Sequence, residues 1–154
     1  MFESKIEIEE DGITHINCYS QSKCELGRAL SNFALAPFDM EPFGRFCSIE
    51  GLWYWLGTDH VDKNNLRRLA GFNAKRLGRE LKSVDYPQVV DFEKHIKNAC
   101  LAKLEQNPRL KELLLNSSLP LTHYYVFNGF AKRDTRSDWI WKYYEEYRTI
   151  HQEN

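Results

Sequence analysis

The chain has 154 residues, 21 basic against 22 acidic, and a formal net charge of -1. That balance excludes nucleic-acid or membrane binding driven by bulk charge, although a local basic patch is sufficient for either. The length suits one domain over residues 1–154, large enough to bury a real core.

Residues 5–9 alternate around Ile6 and Ile8, Asp11-Gly12 supplies a turn, and residues 13–19 resume with Ile16, which predicts an N-terminal β-hairpin. Residues 22–28 read as polar loop, and residues 30–46, with Pro37 and Pro42, as irregular chain or short strand. Ser48 is placed to cap a helix running through Trp53, Trp55 and Leu56. Asp62 is placed to cap a short helix with Leu66 and Leu69, and Asn73 another with Leu77 and Leu81.

Pro87 precedes the longest predicted helix, where Val89, Phe92, Ile96, Ala99, Cys100 and Leu104 recur at helical spacing until Pro108. A further helix follows over residues 109–116. The β-prone residues 122–127 predict a strand that ends at Asn128-Gly129. Residues 137–150 form the last helix, with Ile140, Tyr143, Tyr144 and Tyr147 turned inward. The sum is an α+β fold, mainly helical, with a short N-terminal hairpin and a small sheet.

Cys18, Cys24, Cys47 and Cys100 show no paired metal spacing, and no histidine stands at ligand spacing from them, so neither a metal nor another cofactor is expected. Residues 1–10 are charged and no apolar run approaches membrane length, which makes the cytoplasm, a host's if the gene is viral, the expected location, with free thiols and no membrane partner. Chemistry concentrates where Ala29-Leu30-Ser31-Asn32-Phe33 and Pro37-Phe38 precede Phe46-Cys47-Ser48-Ile49-Glu50-Gly51. A polar pair and one carboxylate stand there among aromatic residues, a surround suited to holding a base and a sugar while tuning an acid.

The order of Ile16-Asn17-Cys18-Tyr19-Ser20, Leu30-Ser31-Asn32-Phe33, Pro37-Phe38, Phe46-Cys47-Ser48-Ile49-Glu50, Ala74-Lys75-Arg76-Leu77-Gly78-Arg79 and Ala102-Lys103-Leu104-Glu105-Gln106-Asn107-Pro108 resembles the NADAR, or YbiA-like, superfamily. The resemblance runs from about Ile13 to Arg148. It implies cleavage of N-glycosidic bonds to ribose, either in phosphorylated intermediates of riboflavin synthesis or in ADP-ribosylated bases, including guanine in DNA. Such a reaction passes through a cation-like ribosyl transition state that a carboxylate stabilises.

On that resemblance Glu50 is the catalytic carboxylate, with a pKa raised by Trp53, Tyr54 and Trp55 around it. Ser31 and Asn32 orient the sugar, Phe33 and Trp53 hold the base, and Ser48 joins the substrate-contacting set. Trp53 and Trp55, two apart on a helix, face different ways, so one of them belongs to the core. Arg28, Arg45, Lys75, Arg76 and Arg79 are phosphate candidates, with Lys75 and Arg79 on one side of their helix. DNA carrying the modified base would run along that stretch.

Members of the superfamily continue after the glutamate with a histidine and an aromatic-rich turn that ends in lysine. Here those positions fall on Gly51 and Gly57, with Lys63 and Lys75 the nearest lysines in sequence. A tryptophan before the long helix is replaced by Tyr86 or Phe92. The later polar position falls near Asp138, a second candidate catalytic carboxylate, whereas Asp134 reads better as an initiator of the last helix. Two further readings stand beside a hydrolase of ADP-ribosylated bases: a module that binds ADP-ribose or a nucleotide without turnover, and a glycosidase of small phosphoribosyl metabolites. The oligomeric state is open.

Overall fold

The computed structural model describes residues 5–152. Six α-helices and three two-stranded sheets make an α+β fold: β1 (Ile16–Asn17), α1 (Glu25–Leu30), β2 (Phe38–Met40), β3 (Gly44–Phe46), α2 (Ile49–Trp55), α3 (Gly71–Leu81), α4 (Phe92–Gln106), α5 (Pro108–Leu115), β4 (Leu121–Thr122), β5 (Tyr124–Phe127), β6 (Phe130–Arg133) and α6 (Asp138–Gln152). Short 3-10 helices occupy Ile8–Glu10 and Lys63–Arg68. Among the described residues no helix is long and apolar enough to cross a membrane.

The predicted N-terminal hairpin does not form. β1 pairs in parallel with β4, Ile16 opposite Leu121, and not with residues 5–9. The reason lies in Asp11, whose buried carboxylate accepts hydrogen bonds from the backbone of Asn17 and Lys23 and from the Ser22 hydroxyl. Those bonds fold the segment around Asp11, so Asp11-Gly12 is an anchor and not a two-residue strand connection.

The predicted polar loop over residues 22–28 is also revised, because α1 begins inside it. Leu26, Gly27 and Leu30 share its buried face, and a Cβ on Gly27 would collide with Ser22 and the Asn17 carbonyl, so only glycine allows so close an approach. Arg28 donates to the Ser22 carbonyl at 2.9 Å and closes the turn before α1. The helix predicted from Asn73 starts earlier, at Gly71, whose φ of +58° suits glycine and whose N–H donates to the Phe33 carbonyl.

The core gathers around α4, which buries Ile96, Ala99, Cys100 and Leu104 against α2, α5, α6 and β2. Phe38 and Phe46 lie opposite each other in the β2–β3 register, both fully buried with rings stacked at 6.2 Å. Each such ring contributes on the order of 2 to 3 kcal/mol by leaving water. The end of α4 stitches the neighbouring chain in place: Gln106 exchanges two 2.7 Å hydrogen bonds with the backbone of Asp39, and Asn107 donates to the Pro37 carbonyl. Pro108, at the first turn of α5, needs no amide partner there.

Candidate active site

Ser48 caps α2 as predicted, its hydroxyl accepting from the Gly51 N–H at 3.0 Å and donating to the Leu69 carbonyl at 2.8 Å. Glu50 therefore stands in the first turn of α2. Its own N–H donates to the Asn32 carbonyl at 2.9 Å, which ties the helix start to the loop after α1. That loop is held at three consecutive carbonyls: Lys103 Nζ donates to Ser31, Glu50 N–H to Asn32, and Gly71 N–H to Phe33. A segment fixed from three elements keeps its side chains where they are, which a loop otherwise does not.

Above this loop lies a cleft of about 370 Å³, within the size range of small-molecule sites. Glu50, Ser31, Asn32 and Phe33 line it, as do Trp53 on α2 and Lys75 and Arg79 on α3. The sequence thus brought seven candidate residues to one place. Packing of α3 on α2 is tight enough that a Cβ on Gly78 would run into the Tyr54 ring, and this closeness sets Lys75 and Arg79 beside Glu50.

Five predicted site residues lie elsewhere, one of them Arg76, which is on α3 but not in the cleft lining. Ser48 is fully buried with its hydroxyl committed at both ends, so it positions Glu50 and does not meet substrate. Arg28 closes the turn before α1, and Arg45 is an exposed partner of Asp39 on β2. Asp138 opens α6 outside the cleft lining; burial lowers the pKa of His123, which lines the cleft, and the charge of Asp138 only opposes that shift. Of the two late carboxylates it is Asp134, read in the sequence as an initiator of the last helix, that lines the cleft.

Glu50 is half-buried, and that burial pushes its pKa up to about 7 against the opposing pull of Lys75 and Arg79. Asp134 is held down to about 2 by hydrogen bonds from Arg136, at 3.0 Å from both Nε and Nη2, and by the Arg136 N–H. The Tyr125 hydroxyl donates to Asp134 at 3.4 Å. One cleft thus contains a carboxyl group poised near neutral pH and another that is always charged, an arrangement that separates acid–base work from electrostatic work.

His123 Nδ1 lies 2.9 Å from the Cys18 carbonyl, which only accepts, so Nδ1 carries the proton and neutral His123 keeps its lone pair on Nε2. Burial lowers its pKa and favours that neutral form. Beneath it the Cys18 thiol is fully buried and pushed well above its ordinary pKa, which leaves it protonated and a poor nucleophile. Asn32 Oδ1 and Trp141 Nε1 are buried and meet no hydrogen-bonding partner among the described residues. An acceptor and a donor left unmet in one cleft are what a polar ligand would satisfy.

In fold the chain is similar to the NMR structure of the Escherichia coli protein YbiA, at 22% identity over 96% of this chain and 95% of that one, with a TM-score of 0.63. The fold is YbiA-like. No family model matches the sequence, and no curated protein does.

Within this YbiA-like fold the two departures at Gly51 and Gly57 differ in kind. A Cβ on Gly51 would stand 2.6 Å from the Leu66 carbonyl, so the 3-10 helix Lys63–Arg68 occupies the space a histidine would need. Gly57 has ordinary room, its nearest neighbour being the Tyr54 carbonyl at 3.5 Å. Of the two lysines nearest in sequence, Lys63 lies over the Trp55 ring at 3.8 Å, and Lys75 is the one that reaches the cleft. Trp55 packs on Phe43 and Phe46 while Trp53 faces the cleft, so the two tryptophans divide as their spacing requires. Phe92, at the start of α4, meets Trp53 edge-on at 4.8 Å.

Sequence reasoning missed the opposite wall: Tyr19, His123, Tyr125, Arg136 and Trp141 all line the cleft. Tyr19, His123 and Tyr125 form one ring cluster, with centroid separations of 4.9 to 6.1 Å. The available signal was period-two alternation, which puts His123 and Tyr125 on the same side of the chain. Asn17 seats this wall by exchanging two 3.0 Å hydrogen bonds with the backbone of Tyr124.

Proposed function

We propose that this cleft hydrolyses an N-glycosidic bond to ribose, with an ADP-ribosylated base as the favoured substrate. The observation that carries the reading is the pair of carboxyl groups at opposite poise, Glu50 near 7 and Asp134 near 2, inside one aromatic and basic cleft. Ionised Glu50 takes a proton from water as the water oxygen bonds to the ribose C1′ and the C1′–N bond breaks. The bonding pair leaves with the base, which then takes one proton from solvent. Asp134 stabilises the positive charge that builds on the sugar as breaking of the C1′–N bond runs ahead of forming the C1′–O bond.

The remaining groups have chemistry that fits a nucleotide. Asn32 Oδ1 accepts from a ribose hydroxyl and Trp141 Nε1 donates to the ligand, which satisfies two otherwise unpaired buried atoms. Phe33 and Trp53 offer faces to the base, and Lys75, Arg79 and Arg136 offer cationic partners for phosphate.

The test is mass detection of products after incubation with ADP-ribosylated nucleosides, ADP-ribosylated oligonucleotides and free phosphoribosyl metabolites. Release of ADP-ribose together with the unmodified nucleoside or oligonucleotide supports the proposal, and turnover of the phosphoribosyl metabolites alone redirects it to a small-metabolite glycosidase. A second reading, a binding module without turnover, draws on the glycine at position 57, where the resemblance expects lysine. ADP-ribose binding in a titration with no product over long incubation would establish that reading and end the first.

A further inference from the structure

β5 and β6 form a hairpin in which Tyr125 lies opposite Lys132 and Phe127 opposite Phe130, so these four side chains share one face. Tyr125 lines the cleft, which makes this the face that leads out of it. Phe127 and Phe130 are 75% and 78% exposed, at the tip of a turn closed by Asn128 and Gly129 in positive φ. Neither ring meets another aromatic ring among the described residues, and Lys132 is exposed without an ion pair. Two large rings displayed to solvent on the strand pair that also supplies the cleft wall have no packing role.

We infer that this face is a stacking subsite for the bases that flank the reacting one in a single strand of nucleic acid. The cleft holds one ribosylated base, and a strand leaving it over Tyr125 meets that ring with Lys132 opposite it in the register and then two further rings at the tip. Exposed aromatic faces interleaved with cations are the pattern that binds single strands with little sequence preference. The charge agrees on both rims: Arg136 and Lys132 on the hairpin side, Lys75 and Arg79 on α3, where exposed Phe72 also packs edge-on to Phe33 at 5.1 Å. The one acid on the hairpin side of the cleft, Asp134, is already bonded to Arg136. The reading of the cleft as a ribosyl N-glycosidase fixes where the strand ends, whereas strand binding itself can be measured without turnover.

The experiment is fluorescence anisotropy with an unmodified, end-labelled oligothymidylate and its RNA counterpart, on the wild type and on the double variant Phe127→Ser/Phe130→Ser. The wild type should bind with an affinity that falls as salt rises. The double variant should bind at least about tenfold more weakly, with Phe127→Trp/Phe130→Trp retaining binding. ADP-ribose affinity should be unchanged in both variants. Equal oligonucleotide binding by wild type and Ser variant, no binding by the wild type, or a parallel loss of ADP-ribose binding would each overturn the subsite. Retention on phosphatidylserine vesicles without oligonucleotide binding would overturn it in favour of a membrane surface. Absence of product with oligonucleotide binding intact would refute the glycosidase and leave the subsite standing.

Discussion

The two walls of the cleft are built in different ways. On one side the carbonyls of Ser31, Asn32 and Phe33 are each held by a donor from a different element, and Glu50 rises from a capped helix directly against them. On the other side Tyr125, Asp134 and Arg136 belong to a hairpin and the short link that follows it, seated at the base by Asn17 and open to solvent at the tip. A wall fixed by backbone hydrogen bonds holds a reacting group in register. A wall of exposed rings and an arginine–carboxylate pair adapts to what lies outside the cleft, so chemistry is expected from the first and selection among substrates from the second.

Replacing the carboxyl group on the fixed wall tests that division most severely. Glu50→Gln should lower kcat by at least about a hundredfold, in line with the contribution of a positioned acid–base group, when initial rates are measured at pH 8. The wild-type rate should rise with pH to a limb near 7, the value to which burial lifts Glu50, and the variant should lack that limb. Stability moves the other way. A carboxyl group with a raised folded pKa binds its proton more tightly in the native state, so stability is lost as pH climbs from 4.5 to about 7. Glu50→Gln removes that loss, and chemical denaturation at pH 8 should find the variant more stable by up to about 3 kcal/mol, with the difference closing below pH 5. A near-full rate in a folded Glu50→Gln variant would end the role assigned to this wall.

The corresponding change on the open wall should cost less. Asp134 shares its charge with Arg136, whose side chain is 85% exposed, so only part of it reaches the sugar. Asp134→Asn should lower kcat about tenfold and leave the limb near pH 7 in place. A loss as large as that of Glu50→Gln would break the comparison and make the two carboxyl groups equal partners.

The fixed wall was legible in the sequence because its parts are local or patterned. Ser48 announces a helix start, Glu50 follows two residues later, and Lys75 and Arg79 fall on one helical face. The Gln106-Asn107-Pro108 stretch was part of one of six segments that carried the resemblance, and in this fold it stitches α4 to β2. The open wall was missed because nothing local marks it. Tyr125 and Asp134 gain their meaning only when parallel pairing of β1 with β4 carries residues 18–20 alongside residues 123–125. That pairing was hidden by Asp11-Gly12, a strong hairpin signal whose carboxylate turns out to be used for long-range capping. Asp134 was undervalued for a similar reason, as a short acid near a helix start usually caps the helix.

Neutralising the basic rim sharpens the comparison from the fixed side. Lys75 and Arg79 both hold the pKa of Glu50 below what burial alone would give. The double variant Lys75→Met/Arg79→Met should therefore move the pH limb upward from about 7. It should also weaken binding of ADP-ribose, read by calorimetry, about fivefold to tenfold with a shallower salt dependence. A limb that stays in place would mean that the charge on α3 does not act on Glu50.

The smallest effect is expected where the fixed wall is held from behind. Lys103 is fully buried, donates to the Ser31 carbonyl at 3.0 Å, and has its pKa brought down to about 8 by burial. Lys103→Met takes away that carbonyl's charged donor and leaves it only the Ala34 N–H at 3.1 Å, at a cost of about 1 to 3 kcal/mol, and at the same time removes a buried charge whose desolvation cost is of similar size. The two offset, so urea denaturation at pH 7 should change little. The sign at higher pH is diagnostic. A lysine with a depressed folded pKa loses its proton in the native state first, so wild-type stability gains a contribution from this group as pH rises from about 8 toward 10.5, and the Met variant lacks it. The kinetic signature is separate: with Ser31 released, the sugar-orienting loop loses one of three fastenings, and kcat/KM should fall about threefold to tenfold while the pH limb of Glu50 stays near 7. Unchanged kcat/KM in a variant that has lost the stability gain above pH 8 would show that two fastenings suffice, and that the rigidity of this wall does not come from Lys103.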